Sequence, residues 1–193
     1  MRLGLDLRSV PDPEQREALA VEADRLGLWA VLVGGAAGTE VAEAAALATA
    51  TDHIHLAVLL DGTATHALTL AEEVAVLDHL SARRALALVD GPPSVVEHVD
   101  RLLAGRVVDG VALTPPPAQT RVPVWPADEL DPIQLTGDLD TDRRLVDDAR
   151  RQGHTHRFVG PPSSLTVLAR HLVPRAAVPD FPQMVADLAD TIG

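Results

Sequence analysis

Aspartate and histidine side chains follow two of the apolar runs in the sequence, each beside a glycine. Asp61 precedes Gly62 and is followed by His66, and Asp90 precedes Gly91. A carboxylate can accept a proton or bind a polar substrate, and a histidine titrates near neutral pH, so it can polarise a substrate oxygen. The same residue types are common in turns and at helix starts, and that second interpretation stays open for Asp61, Asp90 and His66.

The segment Gly160-Pro-Pro-Ser-Ser164 indicates a different chemistry, because it opens a predicted helix. Serine hydroxyls and free backbone N–H groups at a helix start are suited to binding a phosphate. Gly160, Ser163 and Ser164 are therefore candidate phosphate-binding residues. The alternative is that Ser163 or Ser164 only caps the helix.

Two His-x-His pairs raise the question of a metal site: His53 with His55, and His154 with His156. Alternate residues of a strand share a face, so each pair could supply two ligands. Each pair precedes its strand, however, at the end opposite to the candidate residues, and a closed zinc site needs further ligands. The aspartates within 138–148 lack the spacing of a calcium loop and are expected to form a solvated helix start. We predict no metal site.

Apolar runs that alternate with segments of helical period must position these candidates. The predicted strands are Arg2 to Leu7, Trp29 to Val33, Ile54 to Leu60, Arg84 to Val89, Val122 to Trp125, Ile133 to Thr136, His156 to Val159 and Arg175 to Val178. The predicted helices are Pro13 to Leu26, Thr39 or Glu40 to about Thr51, Ala67 to Leu80, Ser94 to Leu103, Thr141 to Gln152, Ser163 to Leu172 and Gln183 to Ile192. Val107 to Leu113 is predicted as an extended arm. Such alternation implies parallel strands joined by right-handed crossovers.

Eight such strands predict a (β/α)8 TIM-type barrel in a single domain over residues 1–193. About 200 residues is the lower end for this fold, and the chain is slightly shorter. Only about seven residues separate Trp125 from Ile133, too few for a crossover helix. We therefore expect a barrel that is trimmed there or one that does not close. A doubly wound open sheet is the alternative, but no G-x-G-x-x-G turn follows the first strand.

Four stretches together resemble the luciferase-like family of flavin- or deazaflavin-dependent oxidoreductases: EALAVEADRLGLWAVLVGG, AAALATATDHIHLAVLL, HALTLAEEVAVLDHLSARR and LLAGRVVDGVALTPPPAQTRVPVWPA. The likeness covers roughly residues 2 to 130 and fades from 131 on. It implies a (β/α)8 barrel that holds FMN or a deazaflavin (coenzyme F420) at its mouth and acts on a small organic substrate. By this resemblance His66 would lie beside the isoalloxazine ring. Asp61 and His66 would then be catalytic, and Gly62, Asp90 and Gly91 would bind the cofactor.

The sequence departs from the family where the cofactor would bind. The acidic residue and frequent histidine after strand two are replaced by Gly34-Gly35-Ala36-Ala37-Gly38, so no general base stands there. Ala82 and Arg83 replace two glycines, and Leu88 and Asp90 replace a G-x-G that lets the backbone approach the cofactor. The resemblance thus leaves two hypotheses: a monooxygenase or other oxidoreductase, and a degenerate non-catalytic barrel that binds flavin weakly or stabilises a partner subunit.

Composition restricts the partners and the compartment. The chain has 28 acidic residues against 16 arginines and no lysine, giving a net charge of −12, and no arginine stripe forms. Nucleic acid and anionic membranes are therefore not expected as partners. With no cysteine, no bilayer-length apolar run and a first strand that begins at Arg2, we expect a cytoplasmic protein. A homodimer is also expected, because members of the family commonly dimerise and a missing crossover helix would expose apolar barrel wall between Trp125 and Ile133.

Overall fold

The computed structural model describes residues 1–34, 38–127, 132–162 and 165–172. Six strands lie within these ranges: β1 (Arg2–Asp6), β2 (Ala30–Gly34), β3 (His55–Asp61), β4 (Ala85–Asp90), β5 (Val124–Pro126) and β6 (His156–Val159). The helices are α1 (Pro13–Arg25), α2 (Glu40–Ala50), α3 (Ala67–Leu80), α4 (Pro93–Leu103), α5 (Leu139–Arg151) and α6 (Leu165–Val167), which continues as a π-helix over Leu168–Leu172. No helix in these ranges has the length and apolar character to cross a bilayer.

All six strands pair in parallel, in the order β5-β4-β3-β2-β1-β6. Each strand from β2 to β5 is added on the same side of its predecessor, and β6 pairs with the opposite edge of β1. Right-handed crossovers that always proceed in one direction place their helices on one face of the sheet. The result is a curled half-barrel.

The two faces of this sheet have separate cores. The helices pack on the convex face, where the buried residues of every helix belong to one continuous cluster. The opposite face, called here the concave face, carries a second cluster made by strand residues and the adjacent Trp29: Ala30, Leu32, Ala57, Leu86, Leu88 and Phe158, with Trp29, Leu59 and Trp125 partly buried against them. Since no described helix contributes to the concave cluster, the doubly wound alternative is wrong.

The described residues form an open sheet rather than a closed eight-stranded barrel. The strand predicted over Ile133 to Thr136 is wrong, because only Ile133 forms a bridge, to Val159. Thr136 donates its backbone N–H to Asp142 Oδ1 at 2.8 Å, which turns the chain into α5 instead of extending it. The predicted strand Arg175 to Val178 and the predicted helix Gln183 to Ile192 lie outside the described residues.

Local signals explain where most other elements begin and end. The Asp12 carboxylate accepts the N–H of Glu14 at 3.1 Å and so caps α1, and Gly27 follows that helix with a φ of +73°. The predicted arm Val107 to Leu113 is only partly extended. It turns back through Asp109 and Gly110, which have φ of +50° and +80°, so that Val108 pairs with Val111.

One buried and one partly buried polar side chain hold the amino ends of the strands. Asp78, fully buried in α3, accepts the backbone N–H and the side-chain Nε2 of Gln119, both at 2.7 Å. Arg84 donates to the carbonyl oxygens of Ser81, Ile54 and Ala48. These contacts satisfy buried groups that would otherwise destabilise the fold. They fix the loop before β5 and the start of β4 against α2 and α3.

Candidate functional site

Three carboxylates lie on the concave face where the strands end. Alternate residues of a strand face the same side, so Asp61 continues the line of Leu59, and Asp90 that of Leu88. Asp61 and Asp90 are direct partners in the β3–β4 register. Asp6 continues the line of Gly4, whose missing side chain leaves room for the concave ring of Phe158. The strand ends Asp6, Gly34, Asp61, Asp90 and Gly160 are called here the carboxyl edge.

The glycines at this edge permit close backbone packing. Gly62 donates its N–H to the Asp90 carbonyl at 2.7 Å, and a Cβ on Gly91 would lie 2.9 Å from the carbonyl carbon of Gly62. Gly34 has a φ of +137°, and a Cβ there would lie 2.8 Å from the Cβ of Leu59. The predicted cofactor residues Gly62 and Gly91 are thus brought together. Their lack of a side chain already has a structural reason in the contact between β3 and β4.

Asp61 forms the turn that follows β3. Its Oδ1 accepts the N–H of Thr63 at 2.8 Å, the hydroxyl of Thr63 at 2.6 Å and the N–H of Ala64 at 3.1 Å. These bonds, first the one from the Thr63 hydroxyl, lower the pKa of Asp61. A carboxylate with a lowered pKa is a weak base and a good hydrogen-bond acceptor. The turn-forming interpretation is therefore realised, and Oδ2 receives no hydrogen bond within the described ranges.

His66 caps α3 from an exposed position. Its Nδ1 accepts the N–H of Leu68 at 3.2 Å, which places the proton of the neutral ring on Nε2. The helix-capping interpretation is therefore realised as well. The capped ring keeps an Nε2–H that can donate to an oxygen, and it lies on the same β3–α3 loop as Asp61.

Asp90 and Gly91 border a cleft of about 560 Å³ between α4 and the outer side of β5. Its lining combines apolar valines with the carboxylates of Asp90, Glu97 and Asp100, and its one guanidinium, that of Arg121, lies 3.1 Å from Asp100. The volume lies in the range of small-molecule sites. This cleft could not be predicted from the sequence, because it depends on how α4 packs beside β5.

The predicted phosphate segment lacks the free N–H groups that were expected in its first part. Gly160 donates its N–H to the Ile133 carbonyl at 3.2 Å, and Pro161 and Pro162 have no N–H to offer. This corrects the expectation for Gly160. Ser163 and Ser164 lie outside the described residues.

An ion pair between Asp6 and Arg8 stands at the end of β1. Arg8 donates Nε to Asp6 Oδ1 at 2.9 Å, Nη2 to Oδ2 at 2.8 Å and its backbone N–H to Oδ1 at 3.0 Å. Asp6 is 7% exposed. The hydrogen bonds that Arg8 donates to Asp6 raise the pKa of Arg8 above its usual value. The only signal in the sequence is the i, i+2 spacing of opposite charges at a strand end.

The aspartates before and within α5 serve that helix. Asp138 accepts the N–H of Thr141 at 2.8 Å and caps α5, as the predicted helix start requires. Asp142 and Asp147, however, are buried rather than solvated. Asp142 binds the backbone N–H groups of Thr136 and Gly137, which explains its burial.

The histidines lie at the amino ends of their strands, as predicted, but they are grouped differently. His55 of β3 and His156 of β6 both contact Trp29 on the concave face, with ring centroids 6.1 and 4.4 Å away. Burial lowers the pKa of both histidines. His53 instead lies beside Asp24, whose carboxylate accepts the backbone N–H groups of residues 52–54.

We expect the stability of the protein to fall as the pH is lowered from 7.5 to 5.5. Folding lowers the pKa of His55 and His156, so these imidazoles favour the folded state only while neutral, and that stability is lost below their unfolded pKa of about 6.5. Urea unfolding across this range tests the expectation. The double variant His55→Gln, His156→Gln should show a flatter profile, and an equally steep one would contradict the assignment.

Comparison with known proteins shows similarity in structure only. No protein-family model matches the chain, and neither does any curated protein. Monooxygenase RslO1 from Streptomyces bottropensis is 21% identical with a TM-score of 0.53, over 81% of this chain and 59% of its own. EDTA monooxygenase EmoA from Chelativorans sp. BNC1 is 14% identical with a TM-score of 0.53, over 98% and 69%.

The coenzyme F420 dependent tetrahydromethanopterin reductase from Methanopyrus kandleri is 13% identical with a TM-score of 0.50, over 82% of this chain and 65% of its own. The chain thus spans about three fifths of the length of RslO1 and two thirds of that of the reductase. These proteins are luciferase-like enzymes. At 13 to 21% identity the similarity is one of fold, and the curled half-barrel of the described residues is compatible with a trimmed luciferase-like barrel but is not a closed one.

Proposed function

We propose that the protein is a luciferase-like oxidoreductase that binds FMN or a deazaflavin at the carboxyl edge and acts on a small organic substrate. One observation supports this most: the concave face ends at that edge in apolar side chains bordered by carboxylates. Solved structures of the same fold include a coenzyme F420 dependent reductase and a riboflavin lyase with modified FMN. Barrel folds bind their ligands at this end of the strands.

The residues at the edge suit the ring of such a cofactor. Leu59 and Trp125 are half-buried parts of the concave cluster and offer an apolar surface to a flat ring. Asp61 Oδ2 can accept an N–H group from its polar rim. When bound, the cofactor supplies the redox chemistry.

The remaining roles fall to four polar side chains. The Nε2–H of His66 donates to an oxygen of the ring or the substrate, and Asp61 stays ionised at neutral pH. Ser163 and Ser164 bind the phosphate. Without a base after β2, the protein's own contribution is orientation and the exclusion of water.

A non-catalytic barrel is the second candidate, and the electrostatics of the edge favour it. Asp6, Asp61 and Asp90 bring three carboxylates to one end of the sheet, and the nearest cation, Arg8, is already paired. Such an edge repels a phosphate. Under this candidate the protein binds flavin weakly or stabilises a partner subunit.

Replacing Leu59 by glutamine tests the ring site. We expect riboflavin binding to weaken about fivefold, because roughly 1 kcal/mol of apolar contact with the ring is lost. The measurement is titration of flavin fluorescence. Leu80→Gln is the matched control, since Leu80 is 61% exposed at the end of α3 and is not part of the concave cluster. Equal riboflavin affinity in the two variants would place the ring elsewhere.

A homodimer is also proposed. Among the described strands β5 is the last at its side of the sheet, and its apolar side chains are only partly buried. Apolar surface of this kind commonly becomes an interface. Sedimentation velocity should show a dimer at micromolar concentration. A monomer throughout that range would contradict the proposal.

A further inference from the structure

We propose that Arg8, clamped by Asp6, binds an oxyanion of the ligand that occupies the carboxyl edge: a phosphate or a carboxylate. A guanidinium has five N–H donors in a planar fork. Asp6 takes Nε and one N–H of Nη2. The end of the fork, formed by Nη1 and the second N–H of Nη2, receives no other protein contact in the part of the chain that the structure describes. That end matches two oxygens of a phosphate or carboxylate.

The clamp fixes where this fork points. Asp6 is nearly buried and receives three N–H groups from Arg8, whose side chain is 29% exposed. Two of these bonds hold the guanidinium in its own plane, so little rotamer freedom is lost when an anion binds.

The neighbouring strand places Arg8 beside the predicted phosphate segment. β1 pairs with β6 in the register Leu5 with Val159, so Asp6 stands next to Gly160. Arg8 and the segment that begins at Gly160 therefore share one corner of the carboxyl edge. Among the described residues that immediately follow the strands, Arg8 is the one cationic side chain. Arg8 therefore brings a positive charge to this corner, where the N–H of Gly160 already donates to the Ile133 carbonyl.

Of the three acidic residues of the edge, Asp6 is the clamp itself, and the other two lie away from this corner. Asp61 on β3 and Asp90 on β4 lie two and three strands from β1. At a strand spacing of about 4.8 Å they are about 10 Å and about 14 Å away, beyond the screening length of about 8 Å in physiological salt. The charges of Asp61 and Asp90 are therefore largely screened at this corner, and that of Asp6 is offset by Arg8, so the free N–H groups of the fork can receive an anion.

The test compares FMN with riboflavin, which lacks the phosphate. The proposal rests on the proposed function for the identity of the ligand, whereas inorganic phosphate tests the site itself. Arg8→Gln should weaken FMN at least tenfold and leave riboflavin unchanged. Arg8→Lys, which keeps the charge and loses the fork, should fall between the two. Arg151→Gln is the control, because it removes the same charge from an aspartate-paired arginine in the last turn of α5.

Inorganic phosphate and acetate are tested in parallel by their effect on thermal unfolding. Both should raise the Tm of the wild type and of Arg151→Gln but not that of Arg8→Gln. Anion stabilisation lost in Arg8→Gln with an unchanged ratio of FMN to riboflavin affinity would assign the fork to a carboxylate of the substrate. If no flavin binds, the proposed function fails, and the phosphate data still decide the inference. Equal anion stabilisation of the wild type and Arg8→Gln, or none in the wild type, would overturn it.

Discussion

Phe158→Ala is expected to lower the free energy of unfolding by about 3 to 5 kcal/mol. Phe158 is completely buried in β6. Its ring lies 5.7 Å from that of Trp29 and fills the space left by Gly4, where a Cβ would come within 2.6 Å of it. Because β6 pairs only with β1 among the strands of the sheet, this ring contributes much of what holds the last strand in place. Urea unfolding followed by circular dichroism measures the loss.

Phe158→Leu is the matched control, since leucine fills part of the same space. It should cost less than half as much as alanine. A loss below about 1 kcal/mol for the alanine variant would contradict the packing of the concave face. So small a loss is expected of an exposed ring, whose removal leaves no cavity.

Ser163→Asp is expected to weaken FMN binding about 30- to 150-fold, or about 2 to 3 kcal/mol. The new carboxylate opposes the phosphate, and the hydrogen bond from the hydroxyl is lost. Aspartate and serine cap helices equally well, so stability should barely change. Titration of flavin fluorescence measures the affinity, and riboflavin serves as the ligand control because it has no phosphate to repel.

Asp90→Gly is the companion variant. Asp90 stands where the family has glycine, so its removal should tighten FMN binding, and the wild type should purify colourless with only micromolar affinity. Tight wild-type binding that Ser163→Asp leaves untouched would place the phosphate elsewhere. Absence of FMN binding in the wild type and both variants would leave the non-catalytic candidate alone.

Local pattern was sufficient for the first half of the fold. The predicted bounds of α3 agree with the structure, and those of β1 to β4 agree within one residue at each end. Strong signals such as the Asp12 cap and Gly27 act over a few residues, which a sequence displays directly. The segment after Ile133 failed because its conformation depends on Asp142, six residues beyond Thr136 and buried by contacts that no periodicity reveals.

The placement of the candidate residues in the fold could be predicted from the sequence, and their individual contacts could not. Residues at the ends of consecutive parallel strands must lie side by side, so Asp61 and Asp90 were correctly expected at one edge. The hydrogen bond from the Gly160 N–H to Ile133 and the bonds from Arg8 to Asp6 depend on the three-dimensional position of each donor and acceptor. The sequence does not display these positions. His55 of β3 and His156 of β6 both contact Trp29. These residues are far apart in the sequence, so the pattern within either strand could not predict that they share a contact.

The central claim, that the carboxyl edge binds an isoalloxazine ring, is tested most directly by mapping riboflavin on the 15N-labelled protein by NMR. The 20.4 kDa chain is suited to this measurement. At saturating riboflavin, or its 5-deaza analogue, the amide signals of Leu59, Gly62 and Gly91 should shift, and those of Glu17 and Glu22 on the outer side of α1 should not. Unchanged signals at the carboxyl edge with both ligands, or shifts confined to α1, would contradict the account.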